Sequence, residues 1–233
     1  MIRLAENMTS EGHYAEAEKL TRETLDIQSR VLRPEHSRTL SSMILLTSIL
    51  AHEGRYVEAE KLYRETLDVA RRVLGSENRD TLGLMRGLTE TLSHEGHYAE
   101  AEKLIGQTLD IQRHVFGPQD PDTLMSLEDE ALDLSHEGRY GDAEKLFREA
   151  LQMTVKASKP SVAGLAWYNF ACGAAIAGRR RDAVVYLDKA IALGYGAPAA
   201  IAADTDLKSL HGDPRFEVLV AKARENDTAN PVR

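Results

Sequence analysis

Glu53-Gly54-Arg55-Tyr56-Val57-Glu58-Ala59-Glu60-Lys61-Leu62 is the stretch that decides the fold. It recurs nearly unchanged over residues 11–20, 95–104 and 137–146, so Gly12, Gly54, Gly96 and Gly138 stand at a constant spacing of 42 residues. A weaker fifth copy begins 40 residues later, at Gly178. A fixed period of this length is the signature of a stack of small units, each burying its apolar face against the next.

Each unit reads as two helices. In the second, the apolar spacing of Met43, Leu46 and Leu50 predicts a helix A over residues 37–53. Gly54 then marks the turn, because glycine accepts a positive φ without a Cβ clash. Helix B follows over residues 56–74, with Ala59, Leu62, Tyr63, Thr66, Leu67 and Val73 inward and Arg55, Glu58, Lys61, Arg64 and Glu65 solvated. In the linker 117–123, Asp120 is an N-cap and Pro121 suits the first helical position, where no N–H is needed. The small residues Ala17, Ala59, Ala101, Ala143 and Ala183 hold one register and imply close helix–helix approach. Tyr14, Tyr56, Tyr98 and Tyr140 read as packing residues.

Trp167, Phe170, Ala171, Ala183, Leu187 and Ala190 of the fifth unit follow the tetratricopeptide-repeat pattern. The 42-residue form with its Pro-Asp-Thr-like linker resembles the kinesin-light-chain type, and many bacterial arrays are similar. The resemblance implies an all-α, right-handed tetratricopeptide-repeat superhelix, an α-solenoid with a C-terminal helical cap. It also implies a protein- or peptide-binding scaffold that uses the concave face lined by the A helices. Some similar bacterial chains carry a serine/threonine kinase domain upstream. The alternative reading is therefore a C-terminal regulatory or oligomerisation segment of a larger signalling protein. Residues 1–194 would form five helix pairs, residues 195–225 capping helices and residues 226–233 a frayed tail. Leu207, Leu210, Phe216, Leu219 and Val220 would cover the open end of the stack.

Mapped onto this chain, the concave face comprises Ile44, Leu45, Ser48 and His52; Arg86, Gly87, Glu90 and His94; Glu128, Asp129, Leu132 and His136; and Tyr168, Asn169 and Cys172. Repeats of the kinesin-light-chain type commonly carry paired asparagines in helix A. Here those positions are Ile44-Leu45, Arg86-Gly87 and Glu128-Asp129, and only Asn169 keeps a carboxamide. The expected groove has an apolar floor at Ile44 and Leu45. Its middle is negative at Glu90, Glu128 and Asp129, which suits a partner segment with an apolar anchor and basic residues. Glu130 occupies the register of Leu46 and Leu88, where a carboxylate is costly unless the helix turns slightly or the side chain reaches solvent. Gly83, Gly87 and Gly106 interrupt the third unit, through drift or through close approach of a ligand to the backbone.

The rest of the sequence narrows the function by exclusion. With 28% charged residues and a formal net charge of −8, the chain lacks the basic footprint for nucleic acid or for anionic membranes. The single cysteine, Cys172, excludes an internal disulfide. No apolar leader opens the sequence and no run reaches membrane-spanning length, which points to the cytoplasm. The first helix A looks cut short and offers an edge for a homodimer. His52, His94 and His136 each precede a glutamate but lack the second histidine of a zinc-protease helix. Asp204-x-Asp206 by itself is a weak cation motif. No catalytic constellation, metal site or cofactor is expected, and the chain reads as a non-enzyme.

Overall fold

The computed structural model describes residues 1–33, 35–157, 160–195 and 198–229. The described residues are helical throughout, without a strand. The helices are α1 (Ile2–Ser10), α2 (Tyr14–Val31), α3 (Ser37–His52), α4 (Tyr56–Val73), α5 (Arg79–His94), α6 (Tyr98–Val115), α7 (Pro121–His136), α8 (Tyr140–Ala157), α9 (Pro160–Ile176), α10 (Arg180–Ala192), α11 (Pro198–Ala203) and α12 (Pro214–Ala229), with a 3₁₀ turn at Lys208–Leu210. They divide into two compact units, Met1–Val115 and Phe116–Arg233. In the N-terminal unit each helix from α1 to α5 packs on its successor. In the C-terminal unit α7, α8 and α9 pack mutually, α9 pairs with α10, and α12 lies on α10 and α11.

Local chemistry sets the helix ends where the sequence predicts them. Gly54 adopts φ +72°, and the equivalent glycines at 12, 96, 138 and 178 lie between +73° and +80°. This conformation lets the Gly54 N–H reach the Ala51 carbonyl and the Arg55 N–H reach the Leu50 carbonyl, each at 3.0 Å. Carbonyls left unpaired at the end of α3 are thereby satisfied. At the A-helix starts, His36, Asn78 and Asp120 accept the backbone N–H two residues on, at 3.1, 2.9 and 3.0 Å. The alanine register is buried as expected: Ala17, Ala59, Ala143 and Ala183 are 0% exposed and Ala101 is 2% exposed.

Ion pairs on the B helices link neighbouring repeats. Arg22 pairs with Glu18 at 2.7 Å and with Glu58 at 2.5 Å. Arg55 sits between Glu18 at 2.8 Å and Glu53 at 2.9 Å, and also meets Glu58. One repeat later His97 occupies the place of Arg55. The carboxyls of Glu60 and Glu95 then face each other without a guanidinium between them. Burial and Glu60 push the Glu95 carboxyl up, while Arg64 holds Glu60 down. One Glu95 oxygen is buried without a hydrogen-bond partner. His97→Arg restores the bridge and is expected to raise stability by about 0.5–1 kcal/mol. An unchanged denaturation midpoint would show that the pair carries no strain.

The C-terminal segment closes over the last repeat. Leu207, Leu210, Phe216, Leu219 and Val220 are buried in one core with Ala171, Ala175, Leu187 and Ile191. Ser209 Oγ donates to the Ala175 carbonyl at 2.9 Å, and Lys222 pairs with Asp188 at 2.6 Å. The last helix, expected within residues 195–225, continues to Ala229. Of the expected tail, residues 230–233 lie outside the described residues, as does Lys159 of the fifth linker. Among the described residues no helix is long and apolar enough to cross a membrane.

Candidate functional site

In the N-terminal unit the A helices α3 and α5 border a cleft of about 230 Å³. Six of the residues expected on the concave face line it: Ile44, Ser48 and His52 from α3, and Arg86, Gly87 and Glu90 from α5. Thr47, Ala51, Gly83 and Leu84 line it as well. Tyr63 forms its floor from α4. A Cβ on Gly87 would stand 2.5 Å from the Tyr63 hydroxyl, so the missing side chain at Gly87 admits an internal phenol rather than a ligand. Gly83 has open space where its Cβ would be, which leaves the cleft accessible from that side. Tyr63 lies on a B helix and was not expected here; nothing near it in the chain marks it, since its approach to Gly87 is made between α4 and α5.

Two expected groove residues of this unit fall outside the cleft. Leu45 is half-buried, and His94 is exposed with its ring stacked on Tyr56 at a centroid distance of 4.3 Å. His52 stacks in the same way on Tyr14 at 5.4 Å, and its Nδ1 lies 2.7 Å from the Ser48 carbonyl. The recurring histidines therefore pair with the recurring tyrosines across consecutive repeats. Their function in this unit is packing at the helix ends.

The C-terminal unit corrects the expected charge of the groove. Glu128 is 2% exposed, not presented to solvent. Its Oε2 accepts the Asn169 amide N–H at 2.7 Å. Burial pushes its carboxyl up to about 8 despite that hydrogen bond, and Asp129 adds to the rise. Glu128 is consequently mostly protonated at neutral pH and adds little negative field. The carboxamide that the sequence retains, Asn169, is engaged by this internal partner. Glu130, expected in a buried register, is half-exposed. Its longer side chain escapes to solvent, while the turn before it brings Glu128 against α9. Asp129 is half-exposed, and Leu132 packs against both apolar clusters of the unit.

The remaining predicted residues gather around the segment after α11. Tyr168 donates its hydroxyl to Asp204 Oδ2 at 2.5 Å. Its ring packs on Tyr195 at 5.0 Å. His136 Nε2 lies 3.5 Å from Asp206 Oδ1. Cys172 is 2% exposed, with its sulfur 3.9 Å from Asp204 Oδ2. Burial and the two aspartates push its thiol well up, so it is not a nucleophilic thiolate. Trp167 packs as expected, between Phe170 and Tyr186 under Lys189. In the basic run 179–181, Arg179 is paired with Glu144 at 3.1 Å and Asp182 at 3.0 Å.

These features can be set beside known proteins. No curated protein matches the sequence. Among solved structures, a kinesin-light-chain-type protein of nearly identical TPR-like repeats from Podosopora anserina superposes with a TM-score of 0.68 at 22% identity, covering 88% of this chain and 95% of that one. A single-substitution form of it gives 0.69 at 23% identity over 82% and 92%. BtubC (BKLC) from P. vanneervenii gives 0.65 at 17% identity over 94% and 93%. At these identities the likeness is one of fold. The all-α tetratricopeptide solenoid expected from the sequence is the fold observed, and folds of this kind serve as scaffolds for protein–protein interaction. A family model described as tetratricopeptide repeat matches residues 1–71, 43–114 and 83–154. The chain belongs to the tetratricopeptide-repeat family.

Proposed function

We propose that the protein is a peptide-binding scaffold, and that the cleft between α3 and α5 seats an extended segment of a partner protein. The cleft itself carries this reading. It combines an apolar wall from Ile44, Ala51 and Leu84 with the polar groups of Ser48, Arg86 and Glu90. Apolar concavities with a few convergent polar groups are the usual form of a recognition site. In this reading residues 1–194 carry the five repeats and residues 195–225 cap them. The preferred segment carries an apolar anchor and a basic group that meets Glu90. Its affinity is modest and weakens with salt, because the charged rim stays partly solvated.

Gly83→Leu tests the assignment without harming the fold. Nothing lies within 4 Å of a Cβ at this helical position, so the leucine fills the cleft. It also removes a helix-interior glycine, which gains about 1 kcal/mol of helix stability. Peptides selected from a display library on the parent chain should lose at least about tenfold in affinity on the variant, a loss of about 1.4 kcal/mol. Glu90→Lys should shift the selected pool away from basic residues. Equal binding to the parent and to Gly83→Leu would place the interaction elsewhere on the chain.

A further inference from the structure

The second feature with chemistry of its own lies in the C-terminal unit, where three separate elements deliver four metal-ligating side chains to one place. Cys172 comes from α9, His136 from the end of α7, and Asp204 and Asp206 from the turn that follows α11. The Cys172 sulfur and one carboxylate oxygen from each aspartate lie within 4.8 Å of one another. His136 stands beside this trio, with Nε2 3.5 Å from Asp206 Oδ1. We propose that these residues form a zinc site that pins the C-terminal segment onto the last repeat.

The donor set selects the metal. A thiol, an imidazole and carboxylates together suit zinc, whereas calcium and magnesium take oxygen alone. The separations suit it as well. With bonds of about 2.3 Å to sulfur and 2.1 Å to oxygen, the 3.9 Å between Cys172 Sγ and Asp204 Oδ2 corresponds to an angle of roughly 125° at the metal. The 3.5 Å between His136 and Asp206 corresponds to roughly 115°. Both are near the tetrahedral value. The sulfur is the deepest donor, 2% exposed and directed at the two aspartates, while the His136 side chain is half-exposed at the rim beside Asp206.

The surroundings hold the ligands in place. Asp204 Oδ1 accepts the Asp206 N–H at 2.9 Å, and Oδ2 accepts the Tyr168 hydroxyl at 2.5 Å. Such outer hydrogen bonds orient ligating carboxylates and are worth up to two orders of magnitude in affinity. On binding, the Cys172 thiol gives its proton to solvent, and the metal takes the place of that proton between sulfur and carboxylate.

Cobalt(II) and zinc(II) added to the full chain after chelator treatment provide the test. One equivalent of cobalt should give a thiolate-to-metal charge-transfer band and the intense visible bands of a tetrahedral site. Zinc should abolish both. In competition with a chromogenic chelator, Cys172→Ser should weaken zinc binding about 100-fold. Asp206→Asn and His136→Ala should each weaken it about tenfold, and Tyr168→Phe should do so by a similar factor. His136 is half-exposed, so His136→Ala keeps the test valid should a buried substitution disturb the fold; circular dichroism checks all four variants. Zinc should also raise the melting temperature of the parent and leave that of Cys172→Ser unchanged. Saturation by cobalt without the thiolate band would overturn the proposal. Zinc affinity unaltered in both Cys172→Ser and His136→Ala would do the same.

Discussion

Glu128→Gln is expected to stabilise the protein at neutral pH by roughly 2–3 kcal/mol, with the gain growing as the solution becomes more alkaline. The parent carboxyl is 2% exposed and its folded-state value is pushed up to about 8. In an unfolded chain it returns to the ordinary range near 4.5. Between those two values the folded state binds more protons than the unfolded state. Its contribution to stability is therefore full below about pH 4.5 and is lost as the pH rises towards 8. Glutamine keeps the acceptor for Asn169 and carries no charge to bury. Melting curves of the parent and the variant should run together in acid and separate from about pH 5 upward. Parallel curves across the whole range would mean that Glu128 is ionised in the fold, and the groove would regain the negative charge removed from it here.

Phe170→Ala should be the most destabilising single truncation considered, at about 3–5 kcal/mol. Phe170 is 0% exposed and lies between the rings of Phe147 at 5.0 Å and Tyr186 at 4.2 Å. Removing it leaves a cavity between α8, α9 and α10 that neighbouring aromatics cannot fill without leaving their rotamers. Trp167, the single tryptophan of the chain, has its ring 6.1 Å away and reports the loss directly. Urea unfolding followed by its fluorescence should show an earlier midpoint for the C-terminal unit. Repeat arrays couple mainly through nearest neighbours, so the effect should be larger by this probe than by whole-chain helicity. A loss below about 1 kcal/mol would mean that the site collapses around the missing ring.

Both predictions rest on features of different legibility. The helix boundaries, the turn glycines, the cap at Asp120 and the alanine register were all readable in one dimension. Each is decided by residues within one or two turns: a glycine that tolerates positive φ, a side chain that reaches an N–H two positions on, a methyl that permits close approach. Repetition then multiplied a weak local signal four times over. The bridging role of Arg55 was not readable in this way: its spacing marks it as a solvated residue, and only the stack sets Glu18 of the preceding repeat beside it.

Tertiary packing decided which side chains within that frame carry charge or meet each other. Glu128 and Glu130 differ by two positions on one helix, and only the placement of α9 determines which of them is buried beside Asn169. Tyr63 fills the space above Gly87 because α4 and α5 are neighbours in the stack, not because anything in either segment requires it. Cys172, with no partner evident in the chain, meets Asp204 at a separation of 32 residues once the last turn folds back over α9. Local backbone preferences specify the repeat. The small departures from it, one carboxylate turned inward or one turn carrying two aspartates, acquire their chemistry only from what the stack sets against them.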